Sequence, residues 1–345
     1  MTQQWPHFRG IITAMITPLT DQHTLNRQGL ERLIEHLIAG GVHGLFPLGT
    51  TGEASALPME LRMDMITQVC RLAEGRVPVV VCVTDTSLVE ATRLALKAKD
   101  CGAAAISTAP PNYYPITQDE ILRYVEKLVR QAGMPLLLYN APGNTHHTIA
   151  PDTVRRAAEI ENIVGLKDSG MDMNYFRELH GGLASRGDFS LLVGPEELLA
   201  ECILLGGHGS MAAGSNIYPR LFVDLYNAAA AGDIARVKTL HQEVLEFGHA
   251  IYHGNNPFRG LKCGLGLLGI CSSLLSDPLA DYSREKRAIV ERYIDQHRTA
   301  ILAYEQSSIP VDKAVQLRDP GKDRKREHPA ATSDEKPGIG ERYQA

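Results

Sequence analysis

Eight short runs of β-branched and aliphatic residues alternate with stretches of helical periodicity, and this repeat restricts the fold more than any other feature of the chain. The runs cover residues 10–17, 44–49, 78–83, 104–109, 135–140, 163–168, 190–194 and 209–214. Between them lie amphipathic segments such as residues 27–39 and 59–73. Strands that alternate with helices form parallel sheets with helical crossovers. Eight such units predict a closed (β/α)8 TIM barrel rather than an open doubly wound sheet, which would need two edge strands.

Further helical stretches follow the eighth unit, over residues 219–231, 234–252, 258–268 and 283–304. They are predicted to supply the last barrel helix and a C-terminal helical extension. The predicted organisation is therefore a barrel over residues 8–232, the extension over residues 233–304 and a tail over residues 305–345. This tail is rich in charged residues, Pro, Gly and Ser with little to bury, so we expect it to be flexible.

Composition narrows the class of function. The 345 residues carry a formal net charge of −5, which gives no electrostatic reason to expect nucleic acid as a partner. The six cysteines are scattered without the spacing of a zinc or redox motif, so reduced thiols are expected. The N-terminus does not resemble a secretory signal, and no apolar run approaches the ~20 residues that span a bilayer. These features predict a cytoplasmic protein without a membrane partner.

Lys167 is the most informative single residue. It lies in the run IVGLKDSG, at the carboxyl end of the sixth predicted strand, where barrel enzymes place their active sites. Burial disfavours the charged ammonium and so favours the neutral amine that can attack a carbonyl. The alternatives are a lysine paired with a carboxylate such as Asp168, or one that extends out of the barrel mouth.

Two other strand ends carry candidate groups. The second ends in GTTGEA, where Gly49, Thr50 and Thr51 can form a turn whose backbone N–H groups converge on a carboxylate. The same threonines could instead cap the next helix. The fifth strand ends in LLLYNAPGNT, which places Tyr139, a possible proton shuttle, beside the site. The fourth strand is followed by NYYP, which offers Tyr113 and Tyr114 as further candidates. Tyrosines at strand ends, however, often serve only to pack against neighbouring side chains.

Taken together, GTTGE, YN.P and G.KDS occur in an order and spacing that resembles the dihydrodipicolinate synthase and N-acetylneuraminate lyase superfamily of pyruvate-dependent class I aldolases. The resemblance covers about residues 8–300. It implies that Lys167 condenses with the keto carbon of pyruvate and that Tyr139 relays protons. It further implies that Thr50 and Thr51 bind the pyruvate carboxylate, with Thr50 joining the relay. Tyr113 would be contributed across a dimer interface, in a homo-oligomer built as a dimer of dimers.

The resemblance also implies a lyase that needs no metal and no organic cofactor, because the Lys167 iminium serves as the electron sink. The expected reaction is cleavage or formation of a 4-hydroxy-2-oxo acid, with pyruvate and an aldehyde as the small-molecule partners. 4-Hydroxy-2-oxoglutarate aldolase, 2-keto-3-deoxy sugar acid aldolase and N-acetylneuraminate lyase are the models. The alternatives are 4-hydroxy-tetrahydrodipicolinate synthase and a 2-keto-3-deoxy sugar acid dehydratase on the same scaffold.

The departures from the family pattern concern the second substrate. Dihydrodipicolinate synthases carry an arginine after YN.P that binds a substrate carboxylate, and Asn144 stands at that position here. Glu197, in GPEE, falls where sialate lyases meet a polyol chain, and FRGLK over residues 258–262 also resembles those enzymes. Asn144 and Glu197 are therefore predicted to contact the substrate. Ala212, which lies in the eighth predicted strand, is assigned to the same group by the resemblance.

Other sequence motifs that could indicate chemistry also have a structural explanation. GLGLLG over residues 264–269 matches dinucleotide-binding spacing but does not follow a strand, so a packed helix is expected. His146 and His147 are predicted to lie in a surface loop. Glu196 and Glu197 could pair as catalytic carboxylates or form the acidic first turn of a helix. Two rival functions remain, namely a metal-dependent barrel enzyme using Asp168, Glu196 or Glu197, and a non-catalytic pyruvate-binding barrel.

Overall fold

The computed structural model describes residues 7–183, 186–252 and 258–303, so the predicted tail over residues 305–345 lies outside the described residues. The strands of the described residues are, in chain order, β1 (Gly10–Ala14), β2 (Leu19–Asp21), β3 (Thr24–Leu25), β4 (Gly44–Phe46), β5 (Val80–Cys82), β6 (Ala105–Thr108), β7 (Leu136–Asn140), β8 (Ile163–Asp168), β9 (Ser190–Val193) and β10 (Gly209–Ser210).

The helices of the same residues are α1 (Arg27–Ala39), α2 (Met59–Ala73), α3 (Leu88–Asp100), α4 (Gln118–Ala132), α5 (Pro142–Thr145), α6 (Pro151–Ala158), α7 (Met173–Leu183), α8 (Leu199–Leu204), α9 (Pro219–Ala230), α10 (Ile234–Ile251), α11 (Phe258–Leu267) and α12 (Arg284–Ile301). Short 3-10 turns cover Thr50–Gly52, Ala54–Ala56, Glu196–Leu198 and Gly214–Asn216.

The strands other than β2 and β3 form one parallel sheet in the order β4-β1-β10-β9-β8-β7-β6-β5. A parallel bridge between Leu45 in β4 and Val79, just before β5, joins the two ends of this order. The sheet therefore closes into a (β/α)8 barrel, as the sequence predicts. The eight predicted strands are all present, although most are shorter than the apolar runs that predict them.

The barrel is buried on both faces of its sheet. Every residue of β1, β7 and β8 is buried, as parallel strands between a filled interior and an outer helical layer must be. Gly209 in β10 shows how closely strands approach, because a Cβ there would lie 2.0 Å from the carbonyl oxygen of Gly10. With all eight strands parallel, their carboxyl ends meet at one mouth, where barrel enzymes place their active sites.

Local signals set the helix boundaries. The Asn26 side chain accepts from the Gly29 N–H at the start of α1, and α4 begins with a reciprocal capping box between Thr117 and Glu120. Gly133 ends α4 in the left-handed conformation, at φ 55°. The predicted helices over residues 27–39 and 59–73 coincide with α1 and α2.

Helices α10, α11 and α12 form the C-terminal extension. Phe247 of α10 joins it to the barrel, since its ring packs edge-on against Phe222 of α9 at 5.5 Å and Tyr293 of α12 at 5.7 Å, centroid to centroid. The prediction for GLGLLG is confirmed over most of its length, because α11 runs to Leu267. A Cβ at Gly264 would lie 2.5 Å from Ile217 Cδ1, so this glycine allows close packing.

Candidate active site

Lys167 and Tyr139 occupy paired positions on the adjacent strands β8 and β7, close to their carboxyl ends. Paired residues of parallel strands point to the same face, here the barrel interior. The Lys167 Nζ lies 4.3 Å from the centroid of the Tyr139 ring and 4.7 Å from that of Phe46, the last residue of β4. Lys167 is 4% exposed. The amine is thus held between two aromatic rings in a largely dry position.

Asp168 and Asn140, the next residues along β8 and β7, point to the opposite face of the sheet. Asp168 and Asn140 are also paired, and the Asn140 Nδ2 donates to Asp168 Oδ1 at 2.7 Å. The Gly170 N–H donates to the same oxygen at 3.0 Å. Burial raises the pKa of the Asp168 carboxyl, an effect these two hydrogen bonds oppose. Since strand alternation separates the two side chains, Asp168 does not neutralise Lys167, and Lys167 forms no ion pair among the described residues.

The GTTGE segment forms a tight turn beside the lysine. Gly49 precedes the 3-10 turn Thr50–Gly52, and the Thr50 Oγ1 lies 3.3 Å from the Tyr139 hydroxyl. A Cβ at Gly49 would lie 2.7 Å from Phe46 Cε1, so glycine lets the turn pack against that ring. The threonines do not cap the next helix, because the N-cap of α2 is Pro58. The turn is therefore available for a ligand.

A cavity of about 430 Å³ opens over these residues. Five of the predicted site residues share it: it is lined by Gly49, Thr50, Tyr113, Tyr139 and Asn144, together with further polar residues of the β5 and β6 loops. Four predicted site residues are not part of this lining, namely Lys167, Thr51, Glu197 and Ala212. Lys167 lies behind the lining residue Tyr139, with its Nζ 4.3 Å from the centroid of that ring. Ala212 is fully buried, and its backbone pairs with Ala14 and Ile12 of β1.

Sequence reasoning missed a charged pair at this cavity. Arg62 of α2 and Asp85, which follows β5, both line it, and Arg62 Nη1 lies 2.9 Å from Asp85 Oδ2. Both side chains are about 15% exposed or less. The pair adds polarity to the wall without adding net charge. No motif marked it, because its members are separated by a helix and a strand.

The tyrosines of NYYP lie at the rim. Tyr113 and Tyr114 are 78% and 72% exposed, and their rings stack edge to face at 5.0 Å. Tyr113, but not Tyr114, lines the cavity. This geometry separates the two candidates that the sequence left open, in favour of Tyr113 as the residue nearer to the site.

Glu196 is a buried structural carboxyl rather than half of a catalytic pair. It accepts from the Gly214 N–H and, at 2.8 Å, from the Tyr252 hydroxyl. Burial raises its pKa to about 7, against the opposing effect of the Gly214 N–H. Its neighbour Glu197 is exposed. Glu196 thereby links the β9 and β10 loops to the end of α10, a role that sequence position alone could not reveal.

The other chemical signals have structural assignments. Among the described residues, no group of three or more His, Cys, Asp or Glu side chains is arranged to hold a metal ion. The six cysteines are free thiols, four of them buried, as expected. The His147 Nε2 lies 3.2 Å from the Tyr114 carbonyl oxygen in the loop after α5. Across the described part of the chain, no helix has the length and apolar character needed to cross a membrane.

Comparison with known proteins places this geometry in context. The model of the dihydrodipicolinate synthetase family matches residues 7–297. A 4-hydroxy-tetrahydrodipicolinate synthase of Methanopyrus kandleri is 33% identical over 285 residues, covering 82% of this chain and 94% of the relative. The enzyme of the same name from Thermodesulfovibrio yellowstonii is 34% identical over 289 residues, covering 83% and 98%.

Solved structures agree. A dihydrodipicolinate synthase from Bacteroides thetaiotaomicron superimposes with a TM-score of 0.81 at 45% identity, covering 84% of this chain and 98% of its own. A prophage protein of Escherichia coli K12 that belongs to the dihydrodipicolinic acid synthase family, solved in complex with pyruvate, gives a TM-score of 0.80 at 29% identity, with 84% and 99% covered.

Proposed function

The chain belongs to the dihydrodipicolinate synthetase family, and from this we propose that Lys167 is the residue through which it forms a Schiff base with pyruvate. Members of this family are lyases that use pyruvate in this way without an external cofactor. The proposed reaction makes or breaks a carbon–carbon bond at the pyruvate methyl carbon. One observation carries the assignment: a buried lysine amine, without a carboxylate partner among the described residues, lies against the tyrosine that contacts Thr50.

The arrangement supports a defined sequence of steps. The neutral amine of Lys167 adds to the keto carbon, and the keto oxygen leaves as water to give an iminium. Loss of a methyl proton then produces an enamine, whose carbon attacks an aldehyde. Hydrolysis releases the product and restores the lysine. Tyr139 and Thr50, 3.3 Å apart, are proposed to carry the protons, and the backbone of the Gly49–Thr51 turn to hold the pyruvate carboxylate.

The relatives favour synthesis as the direction of the reaction. Those from Methanopyrus kandleri and Thermodesulfovibrio yellowstonii are called 4-hydroxy-tetrahydrodipicolinate synthases, which is the alternative that the sequence left open beside the aldolases. On that basis the first candidate for the second substrate is aspartate semialdehyde, the aldehyde of the family. The chain would then be a condensing enzyme.

A second candidate rests on the charge of the cavity wall. Asn144 lines the cavity at the position where the family's synthases carry an arginine, and Arg62, which also lines it, is neutralised by Asp85. A substrate carboxylate is best bound by a free, bidentate guanidinium. A polar wall without net charge instead suits the hydroxyl groups of a neutral aldehyde. Cleavage or formation of a 4-hydroxy-2-oxo acid derived from such an aldehyde is therefore the second candidate.

Proton exchange tests the proposal before the aldehyde is identified. The protein incubated with pyruvate in D2O should exchange the pyruvate methyl hydrogens, because the enamine forms reversibly. Mass spectrometry after addition of aspartate semialdehyde or, separately, glyceraldehyde then separates the candidates. A condensation product with the first supports the synthase, and one with the second supports the aldolase. Absence of methyl exchange would contradict the proposed function itself.

We also propose that the chain assembles into a homo-oligomer. Tyr113 is largely exposed at the cavity rim, as expected for a residue that completes the site of a second copy. The solved relatives include a dihydrodipicolinate synthase variant described as monomeric, so the oligomeric state varies in this fold. Sedimentation of wild type and Tyr113→Phe, with methyl exchange measured on each oligomer, would test the assignment. We expect a homo-oligomer in which the hydroxyl of Tyr113 raises the exchange rate.

A further inference from the structure

A buried ion pair joins the GTTGE turn to the C-terminal extension. The Lys262 Nζ, in α11, lies 2.5 Å from Glu53 Oε1, and both side chains are completely buried. The Glu53 Oε2 accepts from the backbone N–H and the hydroxyl of Ser276, each at 2.8 Å. Lys262 also donates to the Leu274 carbonyl oxygen at 2.7 Å. The carboxylate and the ammonium are thus both paired and hydrogen-bonded, the condition under which buried charges are tolerated.

Glu53 occupies a position from which it can fix the turn. It directly follows Thr50–Gly52 and has left-handed backbone angles, φ 57° and ψ 23°. A non-glycine residue holds such a conformation only where its surroundings enforce it. The Glu53 side chain is held by its ion pair with Lys262 and its hydrogen bonds with Ser276. The carbonyl oxygen of the preceding residue, Gly52, accepts from the Thr17 hydroxyl at 2.7 Å.

We propose that Glu53 and Lys262 are positioning residues for substrate binding, through which the C-terminal extension fixes the turn that holds the pyruvate carboxylate. The inference rests on the proposed function and gives the extension a role in it, although none of the described residues of the extension lines the cavity. The backbone N–H groups of the turn must converge on one anion, and a small displacement spoils that geometry. The pair therefore controls pyruvate affinity more than the later chemical steps.

Borohydride trapping of the Schiff base measures the affinity for pyruvate directly. Wild type, Lys262→Met, Glu53→Gln and the double variant are titrated with pyruvate, and the concentration that gives half of the maximal reduced adduct is read by intact-protein mass spectrometry. Each variant that lacks the ion pair should require at least about tenfold more pyruvate. The adduct at saturating pyruvate should remain near the wild-type level. Arg177→Met, which breaks the exposed pair with Glu201, is the matched control and should match wild type.

Two further measurements separate positioning from general damage. Ser276→Ala keeps the ion pair and removes one hydrogen bond to Glu53, so it should fold and raise the half-saturating pyruvate concentration roughly two- to fivefold. Acetone, which offers a carbonyl without a carboxylate, should trap equally well in wild type and in every folded variant. Equal changes for acetone and pyruvate, or an unchanged pyruvate titration in Ser276→Ala and the folded pair variants, would overturn the inference. Absence of any pyruvate adduct in wild type would instead overturn the proposed function.

Discussion

Tyr139 and Lys167 face each other across paired positions of β7 and β8, with the lysine Nζ 4.3 Å from the centroid of the tyrosine ring. Both residues belong to fully buried strands, and the hydrogen bonds between these strands restrict the movement of the backbone that carries each side chain. A nucleophile and a proton carrier held on rigid elements keep their relative geometry through a reaction. The contribution of each group can therefore be measured by removing it while the strands stay in place.

The first prediction concerns the Tyr139 hydroxyl. Tyr139→Phe keeps the ring that packs on Lys167 and Phe46 but removes the oxygen 3.3 Å from Thr50 Oγ1. Because the proton relay is then broken, pyruvate methyl exchange should fall by about 10²-fold or more. Unfolding in urea should show a loss of only about 1 kcal/mol, the value of one hydrogen bond.

Tyr175→Phe is the control for that substitution. It removes another tyrosine hydroxyl, which donates to the Ile149 carbonyl oxygen at 2.7 Å and does not line the cavity. It should lower stability by about 1 kcal/mol and leave methyl exchange unchanged. Comparable exchange rates in the two variants would argue against a relay through Tyr139.

The second prediction concerns the space at Gly49. A methyl group added by Gly49→Ala would lie 2.7 Å from Cε1 of Phe46, whose ring centroid is 4.7 Å from the Lys167 Nζ, so the ring would have to shift. Overpacking of this kind destabilises by about 1–3 kcal/mol. Thermal unfolding should therefore shift downwards, and methyl exchange should fall with it. Gly143→Ala is the matched control, since nothing lies within 4 Å of the Cβ it would add. It should lower neither the thermal unfolding temperature nor the rate of methyl exchange.

The third prediction concerns the choice of aldehyde. Asn144→Arg places a guanidinium at the rim of the cavity, where the paired Arg62 cannot act as a free cation. A bidentate contact with a carboxylate should improve the ratio of kcat/KM for aspartate semialdehyde over glyceraldehyde by about tenfold, or roughly 1.4 kcal/mol. Asn144→Gln, which adds length without charge, should leave the ratio unchanged. If both variants behave alike, the cavity charge does not select the aldehyde.

The fourth prediction is a pH dependence of stability. Burial raises the pKa of Glu196 in the folded protein to about 7, from an ordinary value of 4.5. The protonated form is thus favoured by folding, so its stabilising contribution is complete below about pH 4.5 and is lost as the pH rises through about 7. Glu196→Gln cannot ionise and should not show this loss. Between about pH 5.5 and about pH 8, the wild type should lose roughly 2 kcal/mol relative to the variant in urea unfolding. Parallel stability curves would show that Glu196 does not titrate in this range.

Periodicity alone predicted the barrel, because each strand is a short apolar run and each helix a longer amphipathic one. The strand ends were less certain, since residues 47–49 are as apolar as the strand before them yet already turn towards the site. The hairpin of β2 and β3 was missed, because its strands are three and two residues long and its loop, Gln22 and His23, lacks the usual turn residues.

Some residues of the candidate site could be predicted from the sequence, and others could not. Lys167, Tyr139 and Thr50 could be predicted to converge because parallel strands in a closed barrel bring their carboxyl ends together. The contact of Glu53 with Ser276 joins residues 223 positions apart and follows no local pattern, so only the packed structure reveals it. Glu197 and Ala212 were placed at the substrate by resemblance alone, and their contact with a ligand stays a prediction.

Peptide mapping of the protein after incubation with pyruvate and borohydride, in wild type and in Lys167→Ala, shows directly whether Lys167 forms the Schiff base. We expect one reduced pyruvyl adduct in the wild type, located on the peptide that contains Lys167, and no adduct in the variant. An adduct on another lysine, or no adduct on a folded wild-type protein, would contradict the assignment of Lys167 as the Schiff-base residue.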